Sequence, residues 1–252
     1  MLDELDRNGY VVIEGALDGP GLARLSSVVD AVWRSECPGG GELHRLAFVG
    51  LDTAFVELVD HPLTLPLVTA ALGWNIYLYH CHLDIHPPGP VVIPPVWRWH
   101  QDGGRQNVEL PSPRPRLSVK IGYFLTDVSH ADCGAMWLIP GSHVQDTLAR
   151  PRDGGVRPSG ALPLLVRAGT AVVLDRRLWH ARGENVSQMT RKALFYAYTH
   201  RWIQPRDDLG LDESFLDRLD PVRRQLLGAA TGATGRWIPT QADVPLRTRA
   251  TH

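Results

Sequence analysis

The chain has 252 residues, 44% hydrophobic and 21% charged, the proportions of a globular protein long enough for one sizeable core. Its 26 basic and 27 acidic side chains leave a formal net charge of −1, so it carries no broad electrostatic footprint for nucleic acid or an anionic membrane, and a small molecule is the expected partner. Cys37, Cys81 and Cys133 are widely spaced and form no CxxC pair, which argues against a zinc ribbon or a disulfide framework and for a reducing compartment. The acidic start Met1-Leu2-Asp3-Glu4 is unlike a secretory signal, and no run of eighteen uncharged apolar residues occurs; a cytoplasmic protein without membrane spans is expected.

In chain order, residues 2–8 predict a short polar helix and 10–15 a strand stopped by Gly15. Asp18 is placed to cap a helix, with Pro20 in its first turn and Leu22, Leu25, Val28, Val29 and Val32 at helical spacing. Residues 36–42 predict a loop, and 52–72 a helical region broken at His61-Pro62 and ended by Gly73. From residue 74 short apolar runs alternate with Pro/Gly clusters, predicting strands at 76–86, 97–101, 116–126, 135–139, 162–166, 171–175 and 191–202. A further helix is expected at 213–228, with Phe215, Leu219, Val222, Leu226 and Leu227 on its apolar face. The expected architecture is mainly β with flanking helices, a sandwich or barrel. One domain covers 1–252, with its core at about 8–205 and a polar, helical extension at about 206–252.

Two stretches carry most of the chemistry: Trp99-His100-Gln101-Asp102-Gly103-Gly104, and Trp179-His180-Ala181-Arg182 with Arg191 beyond. On a strand, residues two apart share a face, so His100 and Asp102 can reach one ion while Gln101 points away. With a distant histidine such as His180, the set is that of a mononuclear non-heme Fe(II) site, three ligands on one face and three positions open. Alone, His-x-Asp also describes a strand-end histidine bonded to a carboxylate, and His180 a packed histidine after the apolar run 171–175. Arg191 opens an alternating strand, where a guanidinium either binds a carboxylate through its fork or lies on the surface.

These stretches, together with Tyr123-Phe124-Leu125-Thr126-Asp127, Gly134 to His143 (GAMWLIPGSH) and Gly169-Thr170, make the chain resemble the phytanoyl-CoA dioxygenase family over roughly residues 8–205. The resemblance implies a double-stranded β-helix (jelly-roll, cupin-like) core and an Fe(II)- and 2-oxoglutarate-dependent dioxygenase. His100, Asp102 and His180 would be the iron ligands, and Arg191 the partner of the distal carboxylate of 2-oxoglutarate. O2 would be the third reactant, with succinate and CO2 released and a C–H bond of a small molecule, a specialised metabolite, hydroxylated. Related halogenases carry a small residue at the position of Asp102, so the carboxylate points to hydroxylation. Desaturation, epoxidation or cyclisation share the cofactor chemistry, and a non-catalytic jelly-roll binding protein is the competing class.

His80, His82, Asp84 and His86 alternate and would share one strand face, either towards the pocket or on a solvated edge. Relatives contribute polar groups, typically amides, from this strand; His80 is assigned to 2-oxoglutarate and Asp84 to substrate, and a second metal site is left open. Lys120 reads either as an inward contact to 2-oxoglutarate or as a lysine snorkelling outward. Trp97, Trp99, Trp137, Trp179 and Trp202 supply aromatic surface near the motifs, Trp137 being the substrate-pocket candidate. His143 is expected to make a loop hydrogen bond rather than bind metal.

Overall fold

The computed structural model describes residues 1–90, 98–149, 156–230, 232 and 234–249. Helix α1 (Leu2–Asn8) ends at Gly9, whose left-handed φ of 80° turns the chain into strand β1 (Tyr10–Ile13). Helix α2 (Gly19–Glu36) begins as read from the sequence: the Asp18 carboxylate accepts from the Gly21 amide at 2.8 Å, a cap worth about 1 kcal/mol. Its Leu25 and Val29 are buried. Strand β2 (Leu43–Leu46) was not anticipated; four residues containing a histidine and an arginine carry too little β signal. Helices α3 (Thr53–Glu57) and α4 (Leu65–Leu72) flank the expected break at His61-Pro62.

Strand β3 (Ile76–His86) matches its predicted bounds, and a short helix α5 (Gln106–Glu109) follows the HxD stretch. Next come β4 (Ser118–Phe124), β5 (Met136–Leu138), β6 (Leu162–Pro163), β7 (Ala171–Asp175), β8 (His180–Arg182) and β9 (Arg191–His200). The expected strand at 97–101 does not form over its described part: His100 makes an isolated bridge and Asp102 sits in a turn, while Trp97 lies outside the described residues. The expected helix at 213–228 is two, α6 (Glu213–Leu216) and α7 (Pro221–Leu226), because Asp220 caps a new helix and Pro221 lacks the N–H that a continuous one needs. Helix α8 (Leu246–Arg249) follows near the end of the described chain. Among the described residues no helix is long and apolar enough to cross a membrane, and Cys37, Cys81 and Cys133 are free thiols.

All strand pairs are antiparallel, in a six-stranded sheet of order β1-β7-β4-β9-β3-β2 and a three-stranded sheet of order β6-β5-β8. This is the double-stranded β-helix expected from the sequence. The large sheet sorts its residues by alternation. Cys81, Leu83, Ile85, Val119, Ile121, Tyr123, Leu194, Tyr196 and Tyr198 pack with the helices in one buried cluster. Phe124, Ala193 and Phe195 join Met136, Leu138 and Leu178 in a second cluster between the sheets. Three tyrosine hydroxyls pin the sheet to the helical layer: Tyr196 donates to Phe55 O (2.9 Å), Tyr198 to Val59 O (2.7 Å), and Tyr123 pairs with Thr64 Oγ1 (2.7 Å). Each buried bond contributes about 1 kcal/mol and would cost more if left half-made.

Leu83 is fully buried on the helix side of β3, between two residues that face the other way. Leu83→Ala should cost about 2–5 kcal/mol of unfolding free energy in urea titrations and leave the cleft on the opposite face intact. An unchanged midpoint would contradict this packing.

Candidate active site

The two halves of the site meet through the backbone. His100 N donates to His180 O and His180 N to His100 O, both at 3.0 Å, so this isolated bridge sets two segments side by side and brings the imidazole centroids to 4.3 Å. His100 Nδ1 donates to Arg98 O and His180 Nδ1 to Leu178 O, each at 2.9 Å. A carbonyl only accepts, so each Nδ1 carries a proton, and Nε2 is the nitrogen that a neutral ring leaves with its lone pair. Asp102 Oδ1 lies 3.8 Å from His100 Nε2, and one ligand atom from each of His100, Asp102 and His180 falls within 4.8 Å of the others. Burial pushes the His180 imidazole down to about 4, favouring the neutral, metal-binding form. Burial alone would raise the Asp102 carboxyl, but the Lys120 ammonium and the two imidazoles hold it well below the usual carboxylate range. An ionised carboxylate and two Nε2 lone pairs are a donor set suited to a divalent metal.

Buried polar groups hold this geometry. The Gln101 side chain turns away from the ligands and donates to Gln145 O (2.9 Å) and to Arg177 O. Asn107 Nδ2 donates to Asp102 O at 3.0 Å, and Arg176, 1% exposed, bonds both Asp102 O (3.3 Å) and Asn107 Oδ1 (3.0 Å). Gly103 has φ 117°, and a Cβ there would stand 2.1 Å from Arg176 Nη1, so only glycine fits. On the other half, Ser142 Oγ accepts from Trp179 N (3.0 Å), tying the Pro140-Gly141-Ser142-His143 turn to the residue before His180. His143 is buried and donates through Nε2 to Asp6 O at 3.0 Å, apart from the ligand trio. Asp175, at the end of β7, bonds Arg177 and Arg116 (2.6 Å from Arg116 Nε to Oδ2) and so shapes the turn into His180. Sequence reasoning passed over Asp175, Arg176 and Asn107; a charged pair directly after an apolar strand was the one local hint.

The ligands open onto a cleft of about 360 Å³, whose lining includes His80, His82, Asp84, Lys120, Met136 and Arg191. Strand β3 lies between β9 and β2, and its polar face looks into this cleft, not onto a solvated edge. Lys120 faces inward as well, its Nζ 2.5 Å from Asp102 Oδ2, which replaces the outward-snorkelling alternative. Both ring nitrogens of His80 are engaged, Nδ1 with Asp207 and Nε2 with His82 and Arg206. Arg191, 3% exposed, gives Nη1 to Asp84 Oδ2 at 2.7 Å, and Asp84 also lies 3.4 Å from Arg182 Nη1. Its Nε is buried without a partner among the described residues. Burial opposes ionisation of Asp84, but His44, Arg191 and Arg182 hold its carboxyl well below the usual range. Trp137, expected in the substrate pocket, is absent from the cleft lining: alternation along β5 sends Met136 there instead, and the Trp137 ring lies 4.3 Å under the Arg157 guanidinium. Among the described residues His100, Asp102 and His180 form the one cluster of metal-ligating type, and the β3 histidines do not belong to it.

The family model described as phytanoyl-CoA dioxygenase (PhyH) matches residues 5–193. An uncharacterised protein of Mycobacterium tuberculosis is 27% identical over 247 residues, covering 90% of this chain and 85% of that protein. Dioxygenase af480 of Aspergillus fumigatus is 30% identical over 210 residues, covering 77% of this chain and 64% of that protein. Among solved structures, HygX from Streptomyces hygroscopicus with nickel and 2-oxoglutarate bound aligns at a TM-score of 0.68 and 15% identity, over 81% of this chain and 87% of HygX. The non-heme alpha ketoglutarate dependent epimerase SnoN from nogalamycin biosynthesis aligns at 0.61 and 19%, over 83% and 85%. Fold and metal-type cluster together define a jelly-roll protein of the non-heme oxygenase class. The chain belongs to the phytanoyl-CoA dioxygenase (PhyH) family.

Because burial raises the Asp175 carboxyl less than Arg177 and Arg116 lower it, its pKa in the folded state is depressed. Its contribution is therefore fully present above the unfolded carboxylate pKa of about 4 and is lost as pH falls through the folded value. The gap in urea midpoint between the protein and Asp175→Asn should be constant above about pH 5 and narrow below about pH 4. A gap that widens with acid would contradict the assignment.

Proposed function

We propose that this chain is an Fe(II)- and 2-oxoglutarate-dependent oxygenase in which His100, Asp102 and His180 hold the iron and Arg191 anchors the distal carboxylate of the co-substrate. The reaction proposed is hydroxylation of an unactivated C–H bond in a small molecule, a specialised metabolite. The observation that carries the reading is the convergence of two imidazoles, each with Nδ1 tied to a backbone carbonyl, and a carboxylate on one open cleft. When bound, the iron and 2-oxoglutarate supply the activation of O2, with release of succinate and CO2.

The chain's own residues bind, orient and exclude. The carbonyls of Arg98 and Leu178 fix the imidazole planes, and Lys120 holds the outer oxygen of Asp102, leaving the inner one for the metal. A guanidinium matches a carboxylate in planar, bidentate fashion, and Arg191, backed by Phe124 and Phe195 at 5.6 and 5.9 Å, offers its fork in a nearly dry setting. Asp84 already takes one of its nitrogens, so co-substrate must share or displace that carboxylate. Asp102 also fills with carboxylate a position that halogenation would need open. A second reading, a non-hydroxylating oxidation such as desaturation, epoxidation, cyclisation or epimerisation, is favoured by the likeness to SnoN, described as an epimerase. The structure of HygX with hygromycin B bound supports a small-molecule substrate.

Anaerobic addition of Fe(II) and then 2-oxoglutarate should produce the weak visible charge-transfer band of a chelated complex, and His100→Ala should abolish it. Persistence of the band in the variant would sink the ligand assignment, and its absence in folded protein would favour a non-catalytic binding protein. Arg191→Met should weaken 2-oxoglutarate about 10-fold to 100-fold in the same titration, the scale of a lost charge-assisted fork. Asp84→Asn should do the opposite, tightening the co-substrate several-fold by removing its internal competitor; weaker binding would show that Asp84 instead orients the arginine.

A further inference from the structure

The β3 histidines form a directed hydrogen-bond relay whose polarity is set outside the family core. Asp207 accepts from His80 Nδ1, and an ionised carboxylate can only accept. Arg206 Nη1 lies 3.4 Å from His80 Nε2, and a guanidinium can only donate. Both constraints give His80 the same tautomer: proton on Nδ1, lone pair on Nε2. His82 Nδ1, 3.0 Å from that lone pair, must then be the donor. It follows that His82 carries its proton on Nδ1 and presents Nε2 as a bare acceptor. Among the described residues that nitrogen makes no hydrogen bond, and His82 lines the cleft. The ring is held in place by stacking on Phe195, with centroids 4.7 Å apart and planes at 20°. Burial and the charge of Lys120 keep the imidazole neutral.

Arg206 and Asp207 lie beyond residue 193, where the family match ends. They are fastened to the strand they control, since Arg206 N (2.9 Å) and Asp207 N (3.4 Å) both donate to Tyr79 O. The segment after β9 thus reaches back onto β3 and, through His80, fixes which His82 nitrogen carries the proton.

We propose that His82 Nε2 is a substrate-recognition acceptor, its tautomer imposed by Asp207 and Arg206 through His80, and that it selects a substrate bearing a neutral hydrogen-bond donor, a hydroxyl or an N–H. Two chemical facts narrow the ligand. 2-Oxoglutarate offers only acceptor oxygens at neutral pH and cannot satisfy a lone pair. An ammonium is disfavoured because Lys120, Arg182, Arg191 and Arg206 line the same cleft and its carboxylates, Glu42, Asp84 and Asp102, are already paired with His86, Arg182, Arg191 and Lys120. A neutral O–H or N–H donor remains, and burying an unmatched acceptor against a substrate without one would count against it. Assigning the acceptor to substrate rests on the oxygenase reading; the acceptor itself does not, and its test needs neither metal nor co-substrate.

The test uses the full, metal-free chain with histidine side chains labelled with 15N. In the wild type, His82 should appear as the Nδ1–H tautomer with an unprotonated Nε2, and Asp207→Asn should mix the tautomers. Phenol and anisole then serve as probes, a matched pair differing in whether the oxygen carries a proton. Phenol should shift the His82 Nε2 resonance saturably and at least ten times more tightly than anisole. Read at the labelled His80 side chain, which is present in every variant and lies 3.0 Å from His82 Nδ1 in the wild type, both His82→Phe, which keeps a stacking ring, and Asp207→Asn should reduce the preference for phenol to near unity. A wild-type His82 protonated on Nε2, equal response to the two probes, or a preference surviving in His82→Phe would each overturn the proposal. The wild-type tautomer and the phenol-to-anisole ratio require no variant, so a poorly folding substitution does not remove the test. Failure here with an intact Fe(II)/2-oxoglutarate band would reject the relay and leave the oxygenase reading standing.

Discussion

The site depends on one pair of backbone hydrogen bonds, the reciprocal 3.0 Å contacts between His100 and His180. An antiparallel bridge places facing Cα atoms about 5 Å apart, close enough for both imidazoles to address one ion. Everything nearby serves to keep that bridge in register. Gln101, Asn107 and Arg176 hold the first segment from below, and Ser142 with Asp175 holds the turn into the second. Asn107 and Arg176 reach Asp102 only through its backbone oxygen, and each of these side chains satisfies a backbone group that would otherwise be orphaned next to the cleft.

A second constraint is the alternation of the large sheet. Strands β3, β4 and β9 turn one face, with Leu83, Ile121 and Tyr196, to the helices and the other, which carries His82, Lys120 and Arg191 beside Phe124 and Phe195, to the space between the sheets, so the main core and the polar groups of the site lie on opposite faces of the same strands. The cleft therefore concentrates charge where water is scarce. The pairs Lys120–Asp102 and Arg191–Asp84 each neutralise a side chain that would be costly to bury alone. In the function proposed above, these pairs are also the groups that metal and co-substrate would engage.

Much of the fold could be read from local pattern. The cap at Asp18, the break at His61-Pro62, the bounds of β3 and the strand 171–175 all follow from spacing and punctuation. The failures have local causes too. Strand β2 is short and polar, Pro221 divides a helix that apolar periodicity joined, and the HxD stretch is a bridge and a turn where alternation suggested a strand. Trp137 falls outside the cleft lining because one step along a strand reverses the face, and a three-residue strand offers too little pattern to choose between Met136 and Trp137.

What the sequence by itself determined was the set of chemical types: two histidines and a carboxylate at oxygenase spacing, an arginine eleven residues beyond His180, and a row of polar residues on one face of β3. These are statements about near neighbours, which periodicity encodes. Only the tertiary structure decided the partners: Arg191 with Asp84, 107 residues apart, and His80 with Asp207, 127 apart. Such pairs arise from sheet order and from the path of the chain after β9, and no local pattern specifies either. Hydrogen-bond direction is settled by which donor meets which acceptor, so the polarity of the cleft emerges only once distant segments are brought together.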